Sequence, residues 1–373
     1  MNRLIEVSVD TASWNSKPVP RSISTAPNPW NCNMAAALLY AAIWTRPPRM
    51  GGFNLSDTWA WLRYIPAIAP GAKLRLRQEW SDVDAHQKTI MSDDLGVGCT
   101  TFWLAEHLNF RFFVEARYFV NQLPNGFYNL RSGNKRGPSK APDYIAISRD
   151  FARICVLECK GTQSNLAALA KVMDNTHGGA QKRSFQTLSG MPPSDSLVVG
   201  LFLAQHEVPE SSTISISDPP LDDQNIVCSD QVERLIRIAT MKTCLAKVLS
   251  LLNMPYMASI VDGLKAKSLI GLSGRKLFSS GIIKYNSELE QRHVWVTKNT
   301  KPEHENFAVA RLRMRQETMK ELLASENLGD LLEEWSRDSE ETVLVTAIDG
   351  VTNIKLPFGT EMTLEIDAQE GHK

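Results

Sequence analysis

The sequence predicts an α/β protein: a mixed central sheet flanked by helices, with an N-terminal extension and an α+β C-terminal domain. Three observations carry this. Residues 196–204 form a near-continuous apolar run (Leu197, Val198, Val199, Leu201, Phe202, Leu203), the signature of a strand buried on both faces. Two β-branched runs, 143–148 and 151–158, lie one short turn apart. Stretches of helix-forming residues, 92–108 and 164–173, flank them on either side.

Along the chain, residues 1–90 begin with a strand-like run and a stretch rich in Pro, Ser and Asn. A helix over 32–44 follows, then a connection rich in Pro and Gly, with Trp59, Trp61 and Trp80 marking further packed elements. The helix over 92–108 is expected to be capped by Ser92, Asp93 or Asp94, with Leu95, Cys99, Phe102, Trp103 and Leu108 on its apolar side. Residues 112–120, aromatic and β-branched, predict a strand. The run 180–185, after Gly178-Gly179, resumes or extends the helix that starts at 164. Residues 210–224, rich in Ser, Asp and Pro, read as a linker or insertion. Beyond them, helices are predicted over 231–252, 306–325 and 328–335, and strands over 276–285, 292–297, 342–348 and 353–356. The domains expected are therefore 1–90, 91–208 as the core, 209–229 as the linker, and 230–373.

The chemistry concentrates in the core. If 143–148 and 151–158 pair as a hairpin about Ser148-Arg149-Asp150, Asp143 is brought beside Glu158. Side chains two apart share a strand face, so Lys160 points the same way as Glu158. Two carboxylates suit a hard divalent cation such as Mg²⁺ or Mn²⁺, which takes one or two carboxylates together with water and phosphate oxygens. Lys160 is placed to orient the attacking water or to neutralise the charged phosphoryl group. Cys159 offers its backbone carbonyl as a further ligand. Just before the motif, the loop 131–140 carries Lys135, Arg136 and Lys140, cations suited to nucleic-acid phosphates.

Pro142-Asp143 and Glu158-Cys159-Lys160, set within the order helix, strand, motif strand, motif strand, helix, strand, resemble the PD-(D/E)xK nucleases. That superfamily includes restriction endonucleases, resolvases and bacterial anti-phage defence nucleases. The resemblance covers residues 91–206 and implies a restriction-endonuclease-like core. It also implies a metal-dependent phosphodiesterase acting on DNA, an endonuclease rather than an exonuclease, in a defence or restriction setting. In relatives an acid on the first helix joins the metal site; Asp94 and Glu106 compete for that role here, with Asp94 preferred. Gln181 and Lys182 resemble the polar pair that contacts the scissile region in defence-type members.

Composition limits the alternatives. The 41 basic and 41 acidic residues cancel, so nucleic-acid binding must be local rather than a whole-molecule property. Six cysteines without a C-x₂-C pair argue against structural zinc and for a reducing compartment. The first six residues lack a signal-peptide core, and the longest apolar stretch, 34–44, is too short to span a bilayer. A cytoplasmic protein that does not engage a membrane is expected. Gly271-Leu272-Ser273-Gly274-Arg275-Lys276 does not have P-loop spacing, so any ATP-driven step requires a separate ATPase or sensor subunit. The C-terminal region is left to target recognition, partner binding or homo-oligomer formation. An RNase, or a non-catalytic nucleic-acid-binding or assembly subunit on the same fold, are the competing readings.

Overall fold

A computed structural model describes residues 1–14, 18–47, 54–131, 141–174, 178–218, 229–278, 289–297, 306–337, 345–348 and 351–367. They fall into two compact units. One combines Asn2–Arg46 with Ala60–Thr240; the other combines Met1, Pro47–Trp59 and Met241–Lys373. Among the described residues, no helix is long and apolar enough to cross a membrane.

The first unit is mixed α/β. Its strands are β1 (Asn2–Val9), β2 (Trp30–Asn33), β3 (Phe110–Glu115), β4 (Tyr128–Leu130), β5 (Tyr144–Ser148), β6 (Ile154–Thr162), β7 (Phe185–Thr187), β8 (Asp195–Phe202) and β9 (Thr213–Ser217). Seven of them form one mixed sheet in the order β2-β1-β9-β8-β6-β5-β3, while β4 and β7 form a separate two-stranded ribbon. The β1/β9 and β6/β8 pairs are parallel and the other neighbours in the sheet are antiparallel. As the apolar run predicts, β8 is central, and every residue from Ser196 to Phe202 is buried.

The N-terminal residues are not a separate extension. β1 and β2 lengthen the central sheet, and the helix Met34–Trp44 is buried along its whole length. Asn33 caps that helix, its side chain accepting from the amides of Ala35 and Ala36, so Cys32 belongs to β2 rather than to the helix. The next long helix, Ala85–Leu108, starts well before the expected cap. Asp84 caps it, accepting from the His86 amide at 2.8 Å, and Ser92 lies mid-helix with its hydroxyl bonded to the Lys88 carbonyl. Two glycines set how closely this helix packs. A Cβ on Gly98 would lie 2.3 Å from the Ala37 carbonyl oxygen, and one on Gly161 of β6 would lie 1.9 Å from that of Ser92.

The strand expected over 112–120 stops at Glu115. The Ala116 amide donates to the Asp143 carbonyl at 3.1 Å, and the chain turns into the helix Ala116–Gln122, which buries Ala116, Phe119 and Gln122 at helical spacing. An aromatic run satisfies both periods, and here the ladder ends at the pair Glu115 and Tyr144, where β5 begins.

In the second unit a five-stranded antiparallel sheet has the order β10-β11-β14-β13-β12. The strands are β10 (Leu289–Thr297), β11 (Asn306–Met314), β12 (Val345–Ile348), β13 (Val351–Leu356) and β14 (Thr360–Asp367). The helix expected over 306–325 is therefore half strand: only Gln316–Ala324 is helical. In β11, Leu312 and Met314 are buried and Arg313 between them is exposed, the period-two pattern of a strand. Residues 276–278 end the helix Gly274–Phe278 rather than opening a strand, and the rest of the strand expected to 285 lies outside the described residues. The expected helices over 231–252 and 328–335 are found as Asp230–Leu251 and Leu328–Arg337.

Candidate active site

The hairpin that joins β5 to β6 is closed by its own polar side chains. Ser148 Oγ donates to Asp150 Oδ1 at 2.6 Å, the Ala152 amide donates to the same oxygen, and the Arg153 amide donates to Ser148 Oγ. Phe151 takes a left-handed φ of 59°, an uncommon conformation for a bulky residue. Its buried ring packs on Phe112 at 5.0 Å, with the Arg237 guanidinium 4.8 Å above it. This turn fixes the register Tyr144 to Leu157, which leaves Asp143, just before β5, beside Glu158.

The two acids are then locked by each other's backbone. The Asp143 amide donates to Glu158 Oε2 at 3.2 Å, and the Cys159 amide donates to Asp143 Oδ2 at 2.9 Å. Within a strand, the N–H and C=O of one residue face the same edge. The Cys159 carbonyl thus leaves β6 on the side of Asp143, where β5 has already ended. Lys160 Nζ donates to Glu158 Oε1 and, at 3.2 Å, to Gln181 Oε1.

Burial dominates the electrostatics. Glu158 is fully buried, and its carboxyl is pushed up to about 8 by that burial and then by the Asp143 charge, against the pull of Lys160. Asp143 is also raised by burial, opposed by Lys160 and by the Cys159 amide. Burial pulls the Lys160 ammonium down, but Glu158 and Asp143 together outweigh it and leave it raised. The Cys159 thiol is driven well up by burial, which removes it as a thiolate nucleophile. Burial raises both carboxyls, the Asp143 charge raises Glu158 further, and Lys160 opposes both shifts.

The remaining expected residues separate. Asp94 turns to Tyr64, whose hydroxyl donates to it at 2.9 Å, with the Arg63 guanidinium 5.0 Å over the Tyr64 ring. Asp93 is the acid of this helix whose charge acts on the centre: it raises Asp143 and is itself lowered by Lys160, though burial leaves it raised. Glu106 instead accepts from Trp30 Nε1 at 2.8 Å. Gln181 meets Lys160, whereas Lys182, expected at the substrate, is fully buried against the Ser196 carbonyl and Asp218. Lys135, Arg136 and Lys140 lie outside the described residues. Elsewhere, cations alternate with apolar residues over 73–77, where Leu74 and Leu76 are buried and Arg75 donates to the carbonyls of Gln205 and Glu210.

Sequence reasoning passed over Asp93, although a signal existed. The small residues Ser92 and Gly96, four apart, mark the helix face that touches β6, where a Cβ on Gly96 would lie 2.7 Å from the Lys160 carbonyl oxygen. Asp93 borders that face.

Among the described residues, no group of three or more His, Cys, Asp or Glu side chains forms a metal-ligand cluster. The donors here are instead two crowded carboxylates and a backbone carbonyl, a set that fits a hard cation keeping most of its water. No protein-family model matches the chain, and neither a curated protein nor a solved structure matches it.

Proposed function

We propose that this protein is a metal-dependent nuclease of the PD-(D/E)xK type, hydrolysing phosphodiester bonds in DNA with Mg²⁺ or Mn²⁺. The observation that carries the reading is the meeting of Asp143 and Lys160 at the fully buried Glu158, with Gln181 bonded to Lys160. The element order Ala85–Leu108 helix, β3, β5, β6, Leu166–Met173 helix, β8, with β6 parallel to β8, supports a restriction-endonuclease-like core.

Asp143, Glu158 and the Cys159 carbonyl would hold the cation. When bound, the cation supplies Lewis-acid stabilisation of the phosphoryl oxygens and lowers the pKa of a coordinated water. The Lys160 ammonium would stabilise the negative charge that builds on the phosphate. Gln181 keeps that ammonium from swinging out to solvent.

Purified protein incubated with plasmid and Mg²⁺ or Mn²⁺ is expected to cut it. Asp143→Ala, Glu158→Ala and Lys160→Ala should each reduce cutting by about a hundredfold or more. Full activity in all three variants overturns the assignment, and parallel DNA and RNA digests decide the substrate. A second reading has an observation of its own. Lys160 already occupies Glu158 Oε1 without a metal, as it would in a non-catalytic nucleic-acid-binding or assembly subunit. Calorimetry with Mn²⁺ separates the two, since only the nuclease reading requires a site that disappears in Glu158→Gln.

A further inference from the structure

We propose that Lys182 is a positioning residue of this site: its buried ammonium pins the short helix Gly178–Lys182 to the sheet so that Gln181 is held on Lys160. The inference rests on the nuclease reading for its catalytic consequence, and on geometry for the rest.

Neighbours in sequence, Gln181 and Lys182 face opposite ways. Gln181 Oε1 accepts from Lys160 Nζ at 3.2 Å. Lys182 Nζ donates to the Ser196 carbonyl on β8 and pairs with Asp218, directly after β9, at 3.4 Å. One lysine thus ties the helix to the ends of two neighbouring strands of the central sheet.

That anchor is needed because the helix has only five residues, too few to hold a helical conformation by themselves. Its other hydrogen bonds include local ones: the Gly179 amide bonds the Asp174 carbonyl, and Ser184 Oγ bonds the Gln181 carbonyl at 2.6 Å. Gly178 packs against Val198 so closely that a Cβ would lie 2.9 Å from its methyl group. A fully buried ammonium is a poor way to gain stability, since burial of the charge opposes it and an apolar side chain of similar volume serves packing at least as well. Burial indeed draws Lys182 down to about 8, against the opposing pull of Asp218. What the ammonium provides and an alkyl chain does not is direction, through two fixed acceptors that set how the helix sits.

The test compares full-length wild type, Lys182→Met, Gln181→Ala and the double variant. It measures the rate at which an amine-directed acylating reagent modifies Lys160, read by peptide mass spectrometry, alongside thermal melting. Both single variants should speed acylation of Lys160 by about fivefold, the worth of one net hydrogen bond, and the double variant should be no faster than either. On plasmid with Mn²⁺, kcat should fall in the same non-additive pattern while KM stays unchanged. Asp218→Asn, which weakens the same anchor more gently, should shift Lys160 in the same direction and answers the question if Lys182→Met does not fold. Wild-type acylation in both Lys182→Met and Asp218→Asn, or additive effects in the double variant, would overturn the proposal. A wild-type protein that cuts no nucleic acid would instead sink the nuclease reading, and the acylation rates would still decide the positioning.

Discussion

Without a metal, Glu158 keeps its proton well above the range of an ordinary carboxyl. Its value in the folded protein is about 8, against 4.5 for an unperturbed glutamate. Between those values the folded chain binds a proton that the unfolded chain does not, so stability falls as pH rises from about 4.5 to about 8. Melting temperatures of the metal-free protein should decline across that window, and Glu158→Gln should flatten the decline. Mn²⁺ binding below the upper limit should release a proton, visible as a calorimetric enthalpy that changes with the buffer. At this scale the sequence was informative where a strand dictated direction: alternation put Lys160 beside Glu158, and the hairpin brought Asp143 to them. It was uninformative where a helix turned away. Asp93 and Asp94, like Gln181 and Lys182, differ by one position and about 100° of rotation, and only packing chooses which of each pair faces the centre.

Elements contribute to the site by how closely they approach. The Ala85–Leu108 helix rests against β6 because Gly161 has no side chain to meet the Ser92 carbonyl. Gly161→Ala should cost about 1–3 kcal/mol by overpacking and should also reduce cleavage, because it pushes Asp93 away from Lys160. Asp84→Ala, at the exposed start of the same helix, should cost about 1 kcal/mol and leave cleavage intact. Denaturant melts of the two variants beside plasmid assays separate stability from placement. Helix and strand order was legible from periodicity, but boundaries failed where two periods overlapped. Residues 116–120 are aromatic and β-branched yet helical, and 306–314 carry helix-forming Arg, Ala and Met yet form an edge-to-edge strand pair with β10 and β14. In 306–314, hydrogen bonds to β10 and β14 overrode local preference.

Across the first unit, the sheet joins segments from both ends of Asn2–Thr240. Because β1, β2 and the buried helix Met34–Trp44 complete it, deleting residues 1–46 should leave a chain without cooperative melting or native circular dichroism, rather than a trimmed active core. The expected boundary near residue 90 went astray for a physical reason: short strands at opposite ends of a sequence carry no local mark of their pairing. The parallel register of Glu6 with Thr213 has one more consequence, for the chain as it is made. At translation speeds of about 5–20 residues per second, β1 leaves the ribosome roughly 10–40 seconds before its partner strand. Throughout that interval the nascent chain carries an unmatched strand edge, a ready point of capture for a holdase or for a neighbouring copy on the same polysome.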